Sequence, residues 1–301
     1  MDRFVNALLA GIAEGATYGL IALGVVLVYK ATRVLNFAQG EIGTFAIYIA
    51  WAVTNEPIDL PLLPAFDVPV IVGVAIALTF AAFAGAGTEF VLRPLSSASR
   101  LTVTVATLGI ATVLGAWQVL SFGADPHTNP PSLISGLAFS LGKTPFVWGR
   151  LLALFLSIGL GLALFAFFKR TLFGLGVLAA AQDQTALRLQ GVPFNRVSMF
   201  TWATGAALTA LAGLVLAPVI GSFHPLWVTA TFLVPGLAAA LVGGLTSLPG
   251  AFVGGLVIGI VQNLAKFYVG NQVAGAEFVA VFAAILLVLI LRPNGLLGRE
   301  A

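Results

Sequence analysis

Residues 4–28 read FVNALLAGIAEGATYGLIALGVVLV, an apolar run whose single charge is Glu14. A helix needs about 20 apolar residues to cross the hydrocarbon core of a bilayer. This run is long enough to cross and too long for the apolar core of a cleavable signal peptide. It reads as a retained first span. Working outward, further apolar segments follow at about 34–53, 68–92, 101–121, 147–168, 197–218, 227–246, 250–268 and 276–291. The last-but-one pair is separated only by Ser247, Leu248, Pro249 and Gly250, which predicts a tight hairpin or one re-entrant piece. Segment 34–53 starts irregularly. The expectation is an all-α polytopic membrane protein of eight or nine transmembrane helices, forming a single domain over 1–301.

Composition agrees. Hydrophobic residues make up 59% of the chain and charged residues 8%, against about 25% charged in a soluble domain. So few charges could not cover a water-facing surface, whereas lipid makes no such demand. Cysteine is absent, which excludes disulfides, thiolate metal sites and a cysteine nucleophile. The net charge of +3 comes from residues between apolar runs. It speaks for orientation in lipid and not for nucleic acid.

Cytoplasmic loops carry the excess of Lys and Arg. With nine alternating spans, one side receives Lys30, Arg33, Arg93, Arg100, Lys169, Arg170, Arg188, Arg196, Arg292 and Arg299. The other receives Arg3, Lys143, Arg150 and Lys266. The expected N-terminus is outside and the C-terminus cytoplasmic. Loops 54–67 and 122–146 then fall outside, and loop 169–196 inside.

Few motifs carry chemistry. Residues 136–144, GLAFSLGKT, imitate a phosphate-binding loop but hold one residue too many before the Gly-Lys-Thr. They also lie in an outer loop, away from ATP. His127 and His224, each beside a proline, read as loop residues. No nucleophile–base pair, metal cluster or cofactor motif is present, so no enzyme activity is expected. Glycines at 11, 15 and 19, and at 255 and 259, recur at the spacing that lets helix backbones approach in lipid. They predict tight packing within a bundle or a dimer.

Carboxylates inside spans are costly and point to function. Glu14 shares a helix face with Tyr18 and lies near Thr17, while Glu41 belongs to the run Asn36-Phe-Ala-Gln39-Gly-Glu41. Two readings stay open: these groups line a translocation path, or they hold neighbouring helices together. Glu89, one turn before Arg93, reads as a local ion pair. In loop 169–196, residues 175–189 are rich in Ala, Leu and Gln and predict a short helix. Gly191 and Pro193 end it, and Asn195 is placed to cap the next span. Such a helix suits a partner's groove or serves as an interfacial connector.

Four stretches then resemble a known family. They are Gly15–Gly24, Leu35–Glu41, Ala179–Val192 followed by Gly205–Gly213, and Gly243–Gly255 with Leu291–Gly298. In this order they resemble the permeases of branched-chain amino-acid uptake systems of the ABC type, specifically the H-type subunit. The resemblance implies a permease that moves branched-chain or related amino acids across the bacterial inner membrane. It implies as partners a second permease subunit (the same chain or a different one), two cytoplasmic ATP-binding subunits and an extracytoplasmic solute-binding protein. It makes Ala180 to Gly191, including Ala181, Asp183 and Arg188, the coupling helix. Gln39 stands where the family commonly has histidine, and related permeases carry urea, short amides or other small solutes. The rival class is an ion-coupled secondary transporter. Glu14 and Glu41 favour it, and the absence of a visible half-to-half repeat counts against it.

Overall fold

The computed structural model describes residues 2–55, 58–60, 63–66, 68–134, 136–141, 144–171, 173–177, 193–270 and 272–298. Besides a helical piece at 173–177, nine α-helices lie wholly within them: α1 (Asp2–Thr32), α2 (Ala38–Asn55), α3 (Val70–Leu92), α4 (Arg100–Phe122), α5 (Trp148–Arg170), α6 (Phe194–Ile220), α7 (Val234–Gly243), α8 (Leu248–Tyr268) and α9 (Ala276–Leu291). Each lies in one of the nine apolar segments. Six of them, α1, α3, α4, α5, α6 and α8, are long and apolar enough to cross a membrane. The seventh segment departs from expectation. Its helical part is a turn at 227–228 and a π turn, Thr229–Leu233, running into α7, only 17 residues in all.

Local chemistry explains several boundaries. Ser99 Oγ accepts the Thr102 N–H at the start of α4, and Ser247 Oγ accepts the Gly250 N–H at the start of α8. Gly221, in the left-handed region at φ 85°, closes α6. The α7–α8 connection is therefore a tight hairpin. Asn195 does not cap α6: the helix starts one residue earlier, with Pro193 in the capping position and no side-chain bond. Fixed at φ near −65°, proline suits a helix start and contributes no orphan donor there.

The long helices α1 and α6 occupy the centre. In the most apolar window of α1, 89% of residues are buried, against 17% in α5. The most extensive interface joins α1 to α8, and α6 packs on α1, α2 and α3. Glycines make these contacts possible. A Cβ on Gly11 would lie 2.7 Å from Ile260 Cα, and one on Gly15 2.8 Å from the Gly255 carbonyl oxygen. The two glycine stripes seen in the sequence thus face each other inside one chain. Gly24 and Gly205 do the same between α1 and α6.

Short antiparallel ladders join the connections. β1 (Ile58–Leu60) pairs with β2 (Leu63–Phe66), and β4 (Leu137–Leu141) with β5 (Thr144–Val147). β3 (His127–Thr128) pairs with β6 (Ser222–Phe223), tying the segment after α4 to the segment after α6. At the opposite end the chain after α9 folds back on the α7–α8 hairpin. Leu296 and Leu297 donate their N–H groups to the carbonyls of Val242 and Gly243 at 2.8 and 3.2 Å. Two of the stretches that carried the family resemblance, 243–255 and 291–298, are thereby one structural unit.

Candidate functional site

Two pieces of chain run without helical structure inside the bundle. The first is 33–37, which begins with Arg33 at φ 58°. The second is 224–226, which contains Leu226 at φ 67°. Helical geometry places them in depth. A Cβ on Gly43 would sit 3.2 Å from Thr209 Cγ2. Thr209 lies about 22 Å from the start of α6 and about 16 Å from its end, at 1.5 Å per residue. Gly213, one turn further on, meets Val228. The first turns of α2 and the π turn therefore start near the middle of the bundle. Non-helical backbone at that depth persists only where protein satisfies its polar groups or water lines it.

Gln118 on α4 provides much of that satisfaction. Its Nε2 donates to the Glu41 carbonyl at 3.0 Å and to Glu41 Oε2 at 3.1 Å, and its Oε1 accepts the Leu226 N–H at 3.2 Å. One side chain thus joins α2, α4 and the chain leading into the π turn. Thr44 adds a second link, accepting the Val228 N–H at 3.1 Å. Thr107 adds a third, accepting the Phe37 N–H at 3.1 Å. Asn36 Oδ1 accepts the Ala38 N–H at 3.0 Å and so caps α2. Gly40 passes against Thr229, and the Thr229 hydroxyl lies beside the Glu41 carboxylate without forming a well-shaped bond. Glu41, Gln39 and Gln118 are all fully buried.

Aromatic rings close the cluster on the β3–β6 side. Tyr48 stacks on Phe122 with centroids 4.3 Å apart, and Phe223 and His127 meet Tyr48 edge-on. His127 is a packing residue of this cap, as its loop position predicts.

The other path candidates gather elsewhere. Glu14 Oε2 accepts from Asn263 Nδ2 at 3.0 Å across the α1–α8 interface, and Asn263 also donates to the Gly259 carbonyl. Thr17 is spent on its own helix, bonded to the Ala13 carbonyl. Tyr18 lies near Gln262 and 6.2 Å from the ring of Phe232 in the π turn. Of the six candidates, Asn36, Gln39 and Glu41 sit at the start of α2, while Glu14, Thr17 and Tyr18 sit on α1. Residues two apart on a helix point to different sides, so Gln39 does not share a face with Glu41. The coupling candidates Ala180, Ala181, Asp183, Arg188 and Gly191 lie outside the described residues. Glu89 pairs with Arg93 at 2.8 Å, as read from the sequence.

Sequence reasoning weighed carboxylates inside spans and missed the amides. Gln118, Gln262 and Asn263 are uncharged polar residues within apolar segments, and that alone was a usable signal.

Residues 7–291 match the family described as the branched-chain amino acid transport system permease component. The chain belongs to this family. It is 30% identical to the high-affinity branched-chain amino acid transport system permease protein LivH of Escherichia coli K12, with 98% of this chain and 96% of the relative covered. It is 29% identical to the corresponding permease protein BraD of Pseudomonas aeruginosa, covering 99% and 96%. This permease therefore matches these relatives over nearly their whole length, and a permease component acts with the other components of its transport system. Both non-helical pieces, and all the residues bonded across them, lie within the matched range.

Proposed function

We propose that this chain is the membrane permease of an ABC importer for branched-chain or related amino acids. It is an integral, multi-pass protein of the bacterial inner membrane. The single observation that carries the reading beyond family membership is the meeting of the α2 N-terminus and the chain leading into the π turn at a buried carboxylate, Glu41, midway through the bundle. The transmembrane domain spans 1–301, with nine crossings, an outside N-terminus and a cytoplasmic C-terminus, supported by the ten-to-four distribution of Lys and Arg. In that orientation α2 and the π turn both start in mid-membrane, and the aromatic cap faces outward.

The chain itself performs no hydrolysis. ATP is bound and split by two cytoplasmic subunits, a second permease subunit completes the path, and an outer binding protein delivers the solute. The family resemblance of 179–192 supports Ala180 to Gly191 as the helix that docks on the ATPase. Binding and hydrolysis of ATP shift the permease pair between outward-open and inward-open populations.

The test is uptake of labelled leucine into vesicles carrying the purified permease pair. The expected outcome is uptake only with the ATP-binding subunits, the binding protein and ATP. Uptake driven by an ion gradient without any ATPase overturns the reading and favours a secondary transporter. Charged bulk at Ala180→Glu and Gly191→Glu is expected to abolish capture of the ATPase while membrane insertion persists.

A further inference from the structure

Glu41 is surrounded by dipoles and by no cation. Gln118 donates to it, the Thr229 hydroxyl lies alongside, and none of the described Lys, Arg or His side chains forms an ion pair with it. A charged carboxylate taken out of water and left without a counter-charge is costly. Glu41 Oε1 is buried with only the Thr229 hydroxyl beside it, and neither oxygen forms a well-shaped hydrogen bond. Unpaired buried polar atoms are uncommon and call for a reason. Acceptors left free beside an uncompensated carboxylate match a primary ammonium, which has three donors and no acceptor and bonds carboxylate strongly through its charge.

The residue that occupies Glu41 now sits on a helix with few other ties. α4 is buried along one stripe, Val103, Thr107, Ala111, Gly115 and Gln118, and exposed over most of the rest. At Gly115 a Cβ would lie 2.7 Å from Leu226 Cδ2 and 3.7 Å from Glu41 Oε2. The glycine keeps the space between α4 and the carboxylate narrow. Parting α4 from α2 by a few ångströms breaks the two Gln118 bonds to Glu41 and uncovers the carboxylate.

We infer that Glu41 receives the ammonium group of the transported solute, and that Gln118 holds its place while the site is closed. The inference rests on the importer reading above and adds to it the chemical group recognised and the residue that competes for the site. It assigns the solute's charged amine, not its side chain, to α2.

Equilibrium binding to the purified permease–ATPase complex, without binding protein, tests it. The probes are leucine, 3-methylbutylamine (leucine without its carboxylate) and 4-methylpentanoate (leucine without its amine). In the unaltered complex the amine is expected to compete with labelled leucine and the acid to fail. Glu41→Gln keeps the shape and the bond to Gln118 and removes the charge, so it is expected to weaken amine binding at least tenfold. Glu41→Asp restores part of that loss. Gln118→Met removes the competitor and is expected to tighten amine binding several-fold, whereas loss of a merely structural bond would weaken it. The same binding by Glu41→Gln as by the unaltered complex overturns the inference, as does equal competition by the acid. If Glu41→Gln does not fold, Gln118→Met and the probe comparison decide alone. Failure of ATP-driven leucine uptake by the unaltered transporter would instead count against the importer reading.

Discussion

Gly15→Ala adds one methyl group to the α1–α8 interface. Its Cβ would lie 2.8 Å from the Gly255 carbonyl oxygen and 2.9 Å from Leu256 Cα, where ordinary contact begins near 3.4 Å. Both obstacles are helix backbone, which cannot turn aside as a side chain does. The helices must separate by about 0.6 Å, and a gap of that size forfeits a quarter to a half of the attraction between facing atoms. Glycine partners Gly11, Gly19 and Gly259 lie along the same seam, so the loss spreads over several turns. Overpacking of this kind costs about 1–3 kcal/mol, and every 1.4 kcal/mol is tenfold in the unfolding equilibrium. The control is Gly109→Ala on α4, where nothing lies within 4 Å of the added methyl. There the better helix propensity of alanine is unopposed, and the change is expected to be neutral or stabilising by up to about 1 kcal/mol. Steric-trap unfolding in bicelles measures both. Equal stability of Gly15→Ala and the unaltered protein, or equal damage at Gly109, refutes the packing argument.

Three smaller effects follow from other contacts. Asn263→Leu removes the bond to Glu14 and is expected to cost about 0.6 kcal/mol, up to about 1.7, while Glu14→Gln, which keeps an acceptor, costs less in the same unfolding assay. Glu89→Gln breaks the pair with Arg93, which is partly exposed, and is expected to cost under about 1 kcal/mol, with the difference shrinking as salt rises. A stop after Arg292 removes the strand-like bonds of Leu296 and Leu297 to the α7–α8 hairpin, and amides 242–250 are expected to exchange hydrogen faster; unchanged exchange there would deny the tail its clamping role.

Much of the fold is legible because lipid imposes one rule, a long apolar run for each crossing, and each apolar segment contains one of the helices found. The glycine seam is partly legible: Gly11, Gly15 and Gly19 recur every four residues, as do Gly255 and Gly259, but spacing alone leaves open whether the stripes meet within one chain or between two. Segment 227–246 misleads because periodicity does not register where helix gives way to loop. The non-helical stretch ends at Leu226, set by its positive φ and by Gln118 and Thr44, which lie more than a hundred positions away in sequence. The candidate site is half legible. Glu41 stands out as a charge in an apolar run, but its partner Gln118 does not, because an amide lowers hydropathy only modestly. Pairing of Glu14 with Asn263 rather than with Glu41 depends on which helices become neighbours, and spacing along one helix holds no information about that.

The short helix formed by the π turn and α7 has a consequence for how the chain reaches the membrane. With the turn at 227–228, seventeen residues rise about 25 Å, against a hydrocarbon core of about 30 Å. A segment of that reach is at the lower limit for spanning and leans on its neighbours to hold its place. It is retained because Gly243 and Gly254 seat it against α8 and because α1 already lies on its other side. Stable insertion of this stretch is therefore expected to depend on α8 as well as on the helices that precede it. Amino acids lost from α8 would then be felt first as a failure of biogenesis at α7.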